Sequence, residues 1–182
     1  MSSNWSQEKY IKAFRFAAEK HNNQIYPGTD WPYIVHLSIV CMEVIAALAH
    51  EPALDGDLAV QCALLHDTIE DQKVSYSVLE NGFGSEVADG VQALTKNKDL
   101  KKEDQMKDSL KRIKQQPREI GLVKLADRIT NLQPPPEYWD HNKRSNYHDQ
   151  AQMIYDELKG ASTYLSKRLS EKMEAYKKYC SE

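Results

Sequence analysis

The sequence predicts an all-α fold, and three observations carry that prediction. Glycine is scarce, with seven residues in 182. Apolar residues recur at three- and four-residue spacing along nearly the whole chain. Alternating β-branched runs, the mark of half-buried strands, are almost absent. The length suits a single domain over residues 1–182, with its core over about 8–160 and a C-terminal helix over 161–180. A hydrophobic content of 41% is enough for a real core. The net charge of −3 offers no basic field for nucleic acid. No apolar run reaches the ~18 residues of a membrane span, and the first residues lack the apolar stretch of a signal peptide. Cys41, Cys62 and Cys180 follow no motif spacing, and the first two lie in apolar surroundings. These features predict a cytoplasmic protein with no membrane or nucleic-acid partner.

Each element has its own signal. Ser6 can cap a helix reaching about Asn22 that buries Tyr10 and Phe14. Two prolines and a glycine make residues 23–33 a loop. A helix from Ile34 to His50 carries His36 in its first turn, and Pro52 and Gly56 end it. One helix is then expected from Leu58 to about Glu70. Ser75 or Ser77 caps a short helix, and Gly84 to Thr95 forms another. Residues 96–118 hold nine Lys or Arg against four Asp or Glu, and predict a loop followed by a charged helix near 103–115. Pro117 opens a helix over 118–132, and Pro134-Pro135-Pro136 closes it. From Asn142 to Tyr179 the chain is helical, as one element or as two broken near Gly160. The late stripe of Tyr155, Leu158, Ala161, Leu165 and Leu169 fits core packing or a homodimer contact.

The chemistry concentrates in Leu65-His66-Asp67-Thr68-Ile69-Glu70-Asp71. On one helix, His66, Asp67, Glu70 and Asp71 would fall within roughly 140° of arc. Three carboxylates beside an imidazole repel one another unless a cation faces them. His36 and Asp127 are suitable partners elsewhere. Around Asp127, the residues Lys124, Arg128 and Asn131 share one helix face, opposite the apolar face of Leu122, Leu125, Ile129 and Leu132. A surface face with a Lys–Asp pair is the plain reading of that arrangement. The sharper reading is a metal ligand, Asp127, beside phosphate-binding cations and an amide. Two imidazoles and two carboxylates suit a borderline divalent ion such as Mn²⁺, Fe²⁺ or Zn²⁺.

In combination, these motifs resemble the HD phosphohydrolase superfamily. They are most similar to the hydrolase domain of RelA/SpoT-type enzymes in its small, standalone form. The resemblance rests on Pro32-Tyr33-x-x-His36, the seven residues from Leu65 to Asp71, Phe83-Gly84 through Thr95-Lys96, and Val123-Lys124-Leu125-Ala126-Asp127-Arg128-x-x-Asn131-Leu132. It implies hydrolysis of the 3′-pyrophosphate of an alarmone of the (p)ppGpp or (p)ppApp type. It further implies His36, His66, Asp67 and Asp127 as ligands, with Mn²⁺ as the usual ion. Glu70 and Asp71 match the acidic pair that directs the attacking water, with Glu70, crowded by carboxylates, exchanging the proton. Lys96, Lys98, Lys101, Lys102, Lys124 and Arg128 are candidates for the phosphates. Asn131 and Tyr147 match positions near the nucleoside.

One stretch departs from the family pattern. The loop before His36 lacks the Arg-Lys pair that relatives carry, so Tyr26 or Trp31 is expected to stack on the base. This leaves adenine and guanine as competing bases. A general HD nucleotidase acting on mononucleotides or NADPH, and a non-catalytic alarmone sensor, are the alternative functions.

Overall fold

The computed structural model describes residues 4–180. Among the described residues the architecture is α-helical, and the only β-type pairing is an isolated bridge between Ile25 and Pro32. Ser6 accepts from the Lys9 amide and starts α1 (Gln7–Lys20), which lays Ala13 and Ala17 against α3. The long loop leads into α2 (Ile34–Leu48), whose inner face is Leu37, Val40, Val44 and Ala47. Asp55 caps α3 (Gly56–Leu65) by accepting from Leu58 N at 3.0 Å.

The expected single helix through Glu70 is in fact two. α3 stops at Leu65, and α4 (Thr68–Gln72) starts after a turn at His66-Asp67. Asp67 sits at φ −98°, ψ −1°, at the edge of the helical region near the values of a turn. The Thr68 hydroxyl donates back to Leu65 O at 2.7 Å and caps the end of α3. The single helical face expected for His66, Asp67, Glu70 and Asp71 is therefore broken: His66 and Asp67 occupy a corner, with Glu70 and Asp71 on the helix beyond it.

α5 (Tyr76–Phe83) and α6 (Ser85–Leu94) form a hairpin across Gly84, which has φ +92°. α6 approaches the core closely at Gly90, where a Cβ would stand 2.5 Å from Ile120 Cδ1 and 2.9 Å from Cys62 Sγ. α7 (Lys102–Ile113) packs on α6, and Arg112 donates to the Ala93 and Thr95 carbonyls at that helix's C-terminus.

The organising element is α8 (Arg118–Asn131). Every residue from Glu119 to Thr130 is buried, because α2, α3, α6, α9 and α10 all pack around it. The surface-face reading of Lys124, Asp127 and Arg128 is thus excluded: their side chains lie inside the protein. Buried charges persist only when paired, and this condition shapes the site.

The final segment is two helices, α9 (His141–Leu158) and α10 (Thr163–Tyr176), followed by a single 3₁₀ turn (Lys177–Tyr179). Ser162 caps α10 by accepting from Leu165 N at 3.1 Å. Leu158, Leu165 and Leu169 turn inward against the chain's own core rather than outward as a dimer seam. A bidentate pair from Arg168 to the buried Glu43, both contacts 2.5 Å, ties α10 to α2. Among the described residues, no helix is long and apolar enough to cross a membrane.

Candidate functional site

Three helices and the 66–67 corner converge on one point. α2 delivers His36 from its first turn, α3 ends at His66, and α8 delivers Asp127 one turn before its C-terminus. His36 Nε2 lies 3.6 Å from both Asp67 Oδ2 and Asp127 Oδ1. His66 Nε2 lies 2.9 Å from Asp67 Oδ2 and 3.8 Å from Asp127 Oδ1. Donor atoms of His36, His66 and Asp67 all fall within 4.8 Å of one another, and Asp127 reaches the same two imidazole nitrogens.

The donor set fits a divalent cation. His66 Nδ1 faces Ala63 O at 2.9 Å and can reach it only as a donor, which leaves the ring's lone pair on Nε2. That lone pair faces two carboxylates, and the buried Nε2 atoms of both imidazoles lack hydrogen-bond partners. Lone pairs aimed at one another require a positive centre between them. The same field acts on protons. Burial lowers the basicity of His66, but Asp67 and Asp127 more than offset this and push its pKa up to about 9. Burial works against the ionised form of Asp67 too, yet the two imidazoles hold it well below the usual carboxylate range.

The carboxylates are held from behind. The Tyr33 hydroxyl donates to Asp67 Oδ2 at 2.6 Å, and burial followed by the nearby Asp67 keeps that phenol protonated. Asn131 Nδ2 donates to Asp127 Oδ1 at 2.5 Å, and Lys124 Nζ donates to Asp127 Oδ2 at 3.0 Å. Lys124 therefore commits its charge to Asp127. Arg128 turns the other way, with its guanidinium 4.3 Å from the centre of the Tyr147 ring.

Glu70 and Asp71 stand beside this centre in different surroundings. Both oxygens of Glu70 are engaged by Lys96: the backbone amide donates to Oε2 at 3.0 Å and Nζ to Oε1 at 3.3 Å. Lys98 Nζ donates to Glu70 O at 2.9 Å. Asp71 lies among the carboxylates, and its pKa is raised by burial and then by Asp67. A cleft of about 550 Å³ runs from Glu70 past Lys73, Lys96 and Lys98 to Arg112. Lys101 and Lys102 are exposed at the start of α7.

A larger cleft, about 850 Å³, is bordered by Tyr33 and Asn131, and its walls include Tyr26, Trp31, Trp139 and Tyr147. Tyr26 also touches the metal-facing side, with its ring 5.3 Å from that of His36. One wall is the 23–33 loop and the other is the segment after the proline triplet. The two meet at Gly28, whose φ is +82° and where a Cβ would stand 2.9 Å from Pro136 Cγ.

The model of the HD domain family matches residues 13–162, a span containing all of these side chains. The chain belongs to the HD domain family. Among curated proteins, this HD domain is 32% identical to the zebrafish (Danio rerio) guanosine-3′,5′-bis(diphosphate) 3′-pyrophosphohydrolase MESH1 over 166 residues, covering 88% of this chain and 90% of that one. It is 30% identical to the human MESH1, covering 87% and 89%. Among solved structures it superposes, with a TM-score of 0.80 and 27% identity over 94% of this chain and 97% of the other, on a protein described as a metazoan ortholog of SpoT that hydrolyzes ppGpp.

The HD domain also holds residues to which sequence reasoning gave no part in the site. Tyr33 is one; its signal was its place three residues before His36, on the same helical turn. Gln24 is another, donating to Asp71 Oδ2 at 2.8 Å. A glutamine in a loop gives no sequence signal of such a role.

Proposed function

We propose that this chain is a divalent-metal-dependent alarmone hydrolase that removes the 3′-pyrophosphate of a (p)ppGpp- or (p)ppApp-type nucleotide. One observation carries the reading: two buried imidazole lone pairs and two carboxylates face one another directly behind an aromatic cleft, whose lining residues Tyr26, Tyr33 and Asn131 touch His36, Asp67 and Asp127. The names of the zebrafish and human relatives support the reaction class. His36, His66, Asp67 and Asp127 would hold the ion, and their mixed N/O character favours Mn²⁺ over Mg²⁺. When bound, such an ion supplies Lewis acidity, making a water more acidic and withdrawing charge from a phosphate oxygen.

The chain's own residues do the rest. Asp71 orients the attacking water, and Glu70 accepts its proton once Lys96 turns from the carboxylate to a phosphate oxygen. The water oxygen forms a bond to the phosphorus attached to the ribose O3′. The P–O3′ bond breaks, the proton passes to the departing O3′, and pyrophosphate leaves. Lys96 and Lys98 offset the charge of the 3′ group, while Tyr26, Trp31 and Tyr147 take the nucleoside, with Asn131 at its edge. The three cysteines are free among the described residues, in keeping with a reducing cytosol.

The test is product analysis on the Mn²⁺-loaded protein offered ppGpp, pppGpp, ppApp, pppApp and NADPH. Release of pyrophosphate from an alarmone is the expected result. Release of orthophosphate, or turnover of NADPH alone, replaces this reading with a general nucleotidase; binding without turnover replaces it with a sensor.

A further inference from the structure

The loop ahead of His36 contains a hydrogen-bonded chain that no step above uses. His21, at the end of α1, is 1% exposed. Its Nδ1 lies 2.6 Å from Gln24 Oε1. Gln72 Nε2 donates to the same oxygen at 2.5 Å. With its oxygen so occupied, the Gln24 amide has one orientation, and its Nε2 donates to Asp71 Oδ2 at 2.8 Å. The backbone fixes the amide further: Gln24 N donates to His21 O at 3.0 Å, and Gln24 O accepts from Tyr33 N at 2.9 Å. The His21 ring also stacks on Tyr33, with centroids 5.0 Å apart and planes at 18°. Tyr33 is the residue that donates to Asp67. A single buried imidazole thus stands behind two carboxylates of different purpose.

Resting on the reading of Asp71 as the water-orienting group, we infer that His21 and Gln24 are positioning residues. His21 fixes the Gln24 amide, and that amide aims the free oxygen of Asp71 at the water, while stacking of the same ring on Tyr33 steadies the Asp67 side. An ionised Asp71 next to Asp67 is repelled by it, and the Gln24 N–H is the neutral donor that holds it in place. A lysine at position 24 would hold Asp71 more tightly but would compete with the cation; an amide does not. Gln72 closes the chain from α4, so the donor and the carboxylate it aims belong to two connected pieces of backbone.

The experiment compares four single variants and one double variant of the full chain, loaded with Mn²⁺, on the alarmone turned over in the product assay. Metal content and thermal unfolding are followed alongside kcat and KM. Gln24→Met keeps the side chain's length and removes both polar atoms; kcat falls about 10- to 100-fold, the usual effect of losing a supporting hydrogen bond, with KM and metal content nearly unchanged. His21→Phe keeps the ring stack and loses the N–H, and falls by a similar factor. His21→Asn restores a donor near the Nδ1 position and recovers most of that loss. Asp71→Asn gives the reference loss, and adding Gln24→Met to it costs little more, because there is no longer a carboxylate to aim. If Asp71→Asn loses turnover while Gln24→Met and His21→Phe do not, the positioning role is overturned and the reading of Asp71 stands. If Asp71→Asn turns over normally, both fall. Should Gln24→Met not fold, the contrast between His21→Phe and His21→Asn decides: equal activities overturn the inference.

Discussion

His36, His66 and Asp127 lie on or directly after helices and are at most 7% exposed, whereas Trp31 and Tyr138 lie on connecting segments and are 56% and 71% exposed. The two sides of the site meet within one turn of α8, at Asp127 and Asn131, yet they are built by different means. On the metal-facing side each carboxylate has a second partner behind it: Tyr33 for Asp67, Lys124 and Asn131 for Asp127. On the aromatic side the rings lie on proline-containing connecting segments or directly after them, and among the cleft's rings Tyr147 stands on a helix. The difference teaches where tolerance lies. A buried charged cluster cannot lose a member without stranding the others, while a half-open aromatic wall can exchange one ring for another and change the ligand it prefers.

The largest effect should therefore come from Asp127. Asp127→Asn keeps the volume and a carbonyl for Lys124 but removes the charge shared with both imidazoles. Metal content should fall to background and turnover by on the order of 10³-fold or more, as for residues that act as a unit. Elemental analysis beside the turnover assay checks this, and a variant that retained both metal and activity would remove Asp127 from the ligand set. Glu70→Gln sharpens the comparison within the metal-facing side, because Glu70 touches Lys96 rather than the imidazoles. Metal content should persist while kcat drops about 10²- to 10⁴-fold, the range of a lost general base. Loss of the metal would make Glu70 a ligand instead.

How much of this could be seen in the sequence follows the same division. Helix periodicity located the elements, and the four residues that converge at the site were all named from their types and surroundings. The break at His66-Asp67 escaped, because residues 58–70 contain neither proline nor an internal glycine to mark it. The turn arises where the Thr68 hydroxyl caps α3 and the backbone at Asp67 shifts to the edge of the helical region, a local competition that side-chain periodicity does not register. The burial of Lys124 and Arg128 escaped for another reason. Charged residues at helical spacing usually face solvent, and only the packing of five neighbours around α8 reverses this. Tyr33 and Gln24 act through hydrogen bonds spanning 34 and 47 residues, for which a sequence holds no spacing rule.

On the aromatic side the expected effects are smaller and fall on binding. Tyr26→Ala and Trp31→Ala should each raise KM with kcat little changed, by the equivalent of about 1–3 kcal/mol for a lost base stack. Measuring both on ppGpp and ppApp tests whether either ring selects the base. Tyr26 is also near His36, so a fall in kcat confined to Tyr26→Ala would show that the two sides are coupled through that contact. Equal KM values for both variants and the parent would take the nucleoside out of the aromatic cleft.

The smallest effect concerns stability and isolates His21, which sits behind both carboxylates. Burial lowers the pKa of His21 below its ordinary 6.5, so the folded protein holds the ring neutral. Above 6.5 neither the folded nor the unfolded chain protonates it, and the residue adds no pH dependence. As the pH falls through 6.5 the unfolded chain takes up a proton that the folded chain refuses, and the fold loses stability until the lowered folded pKa is reached. His66 works in the opposite sense. Its pKa is raised to about 9, so its contribution is fully present below 6.5 and is lost as the pH rises toward 9. Comparing the parent with His21→Asn cancels His66 and every other group common to both. Between pH 7 and pH 5.5 the parent's Tm should decline faster than the variant's, so that the gap between them shifts in the variant's favour on acidification. A gap constant across that window would mean that the folded protein accepts a proton on His21 as readily as the unfolded chain does. In that case the ring would not be the neutral Nδ1 donor on which the orientation of Gln24, and through it the aim of Asp71, depends.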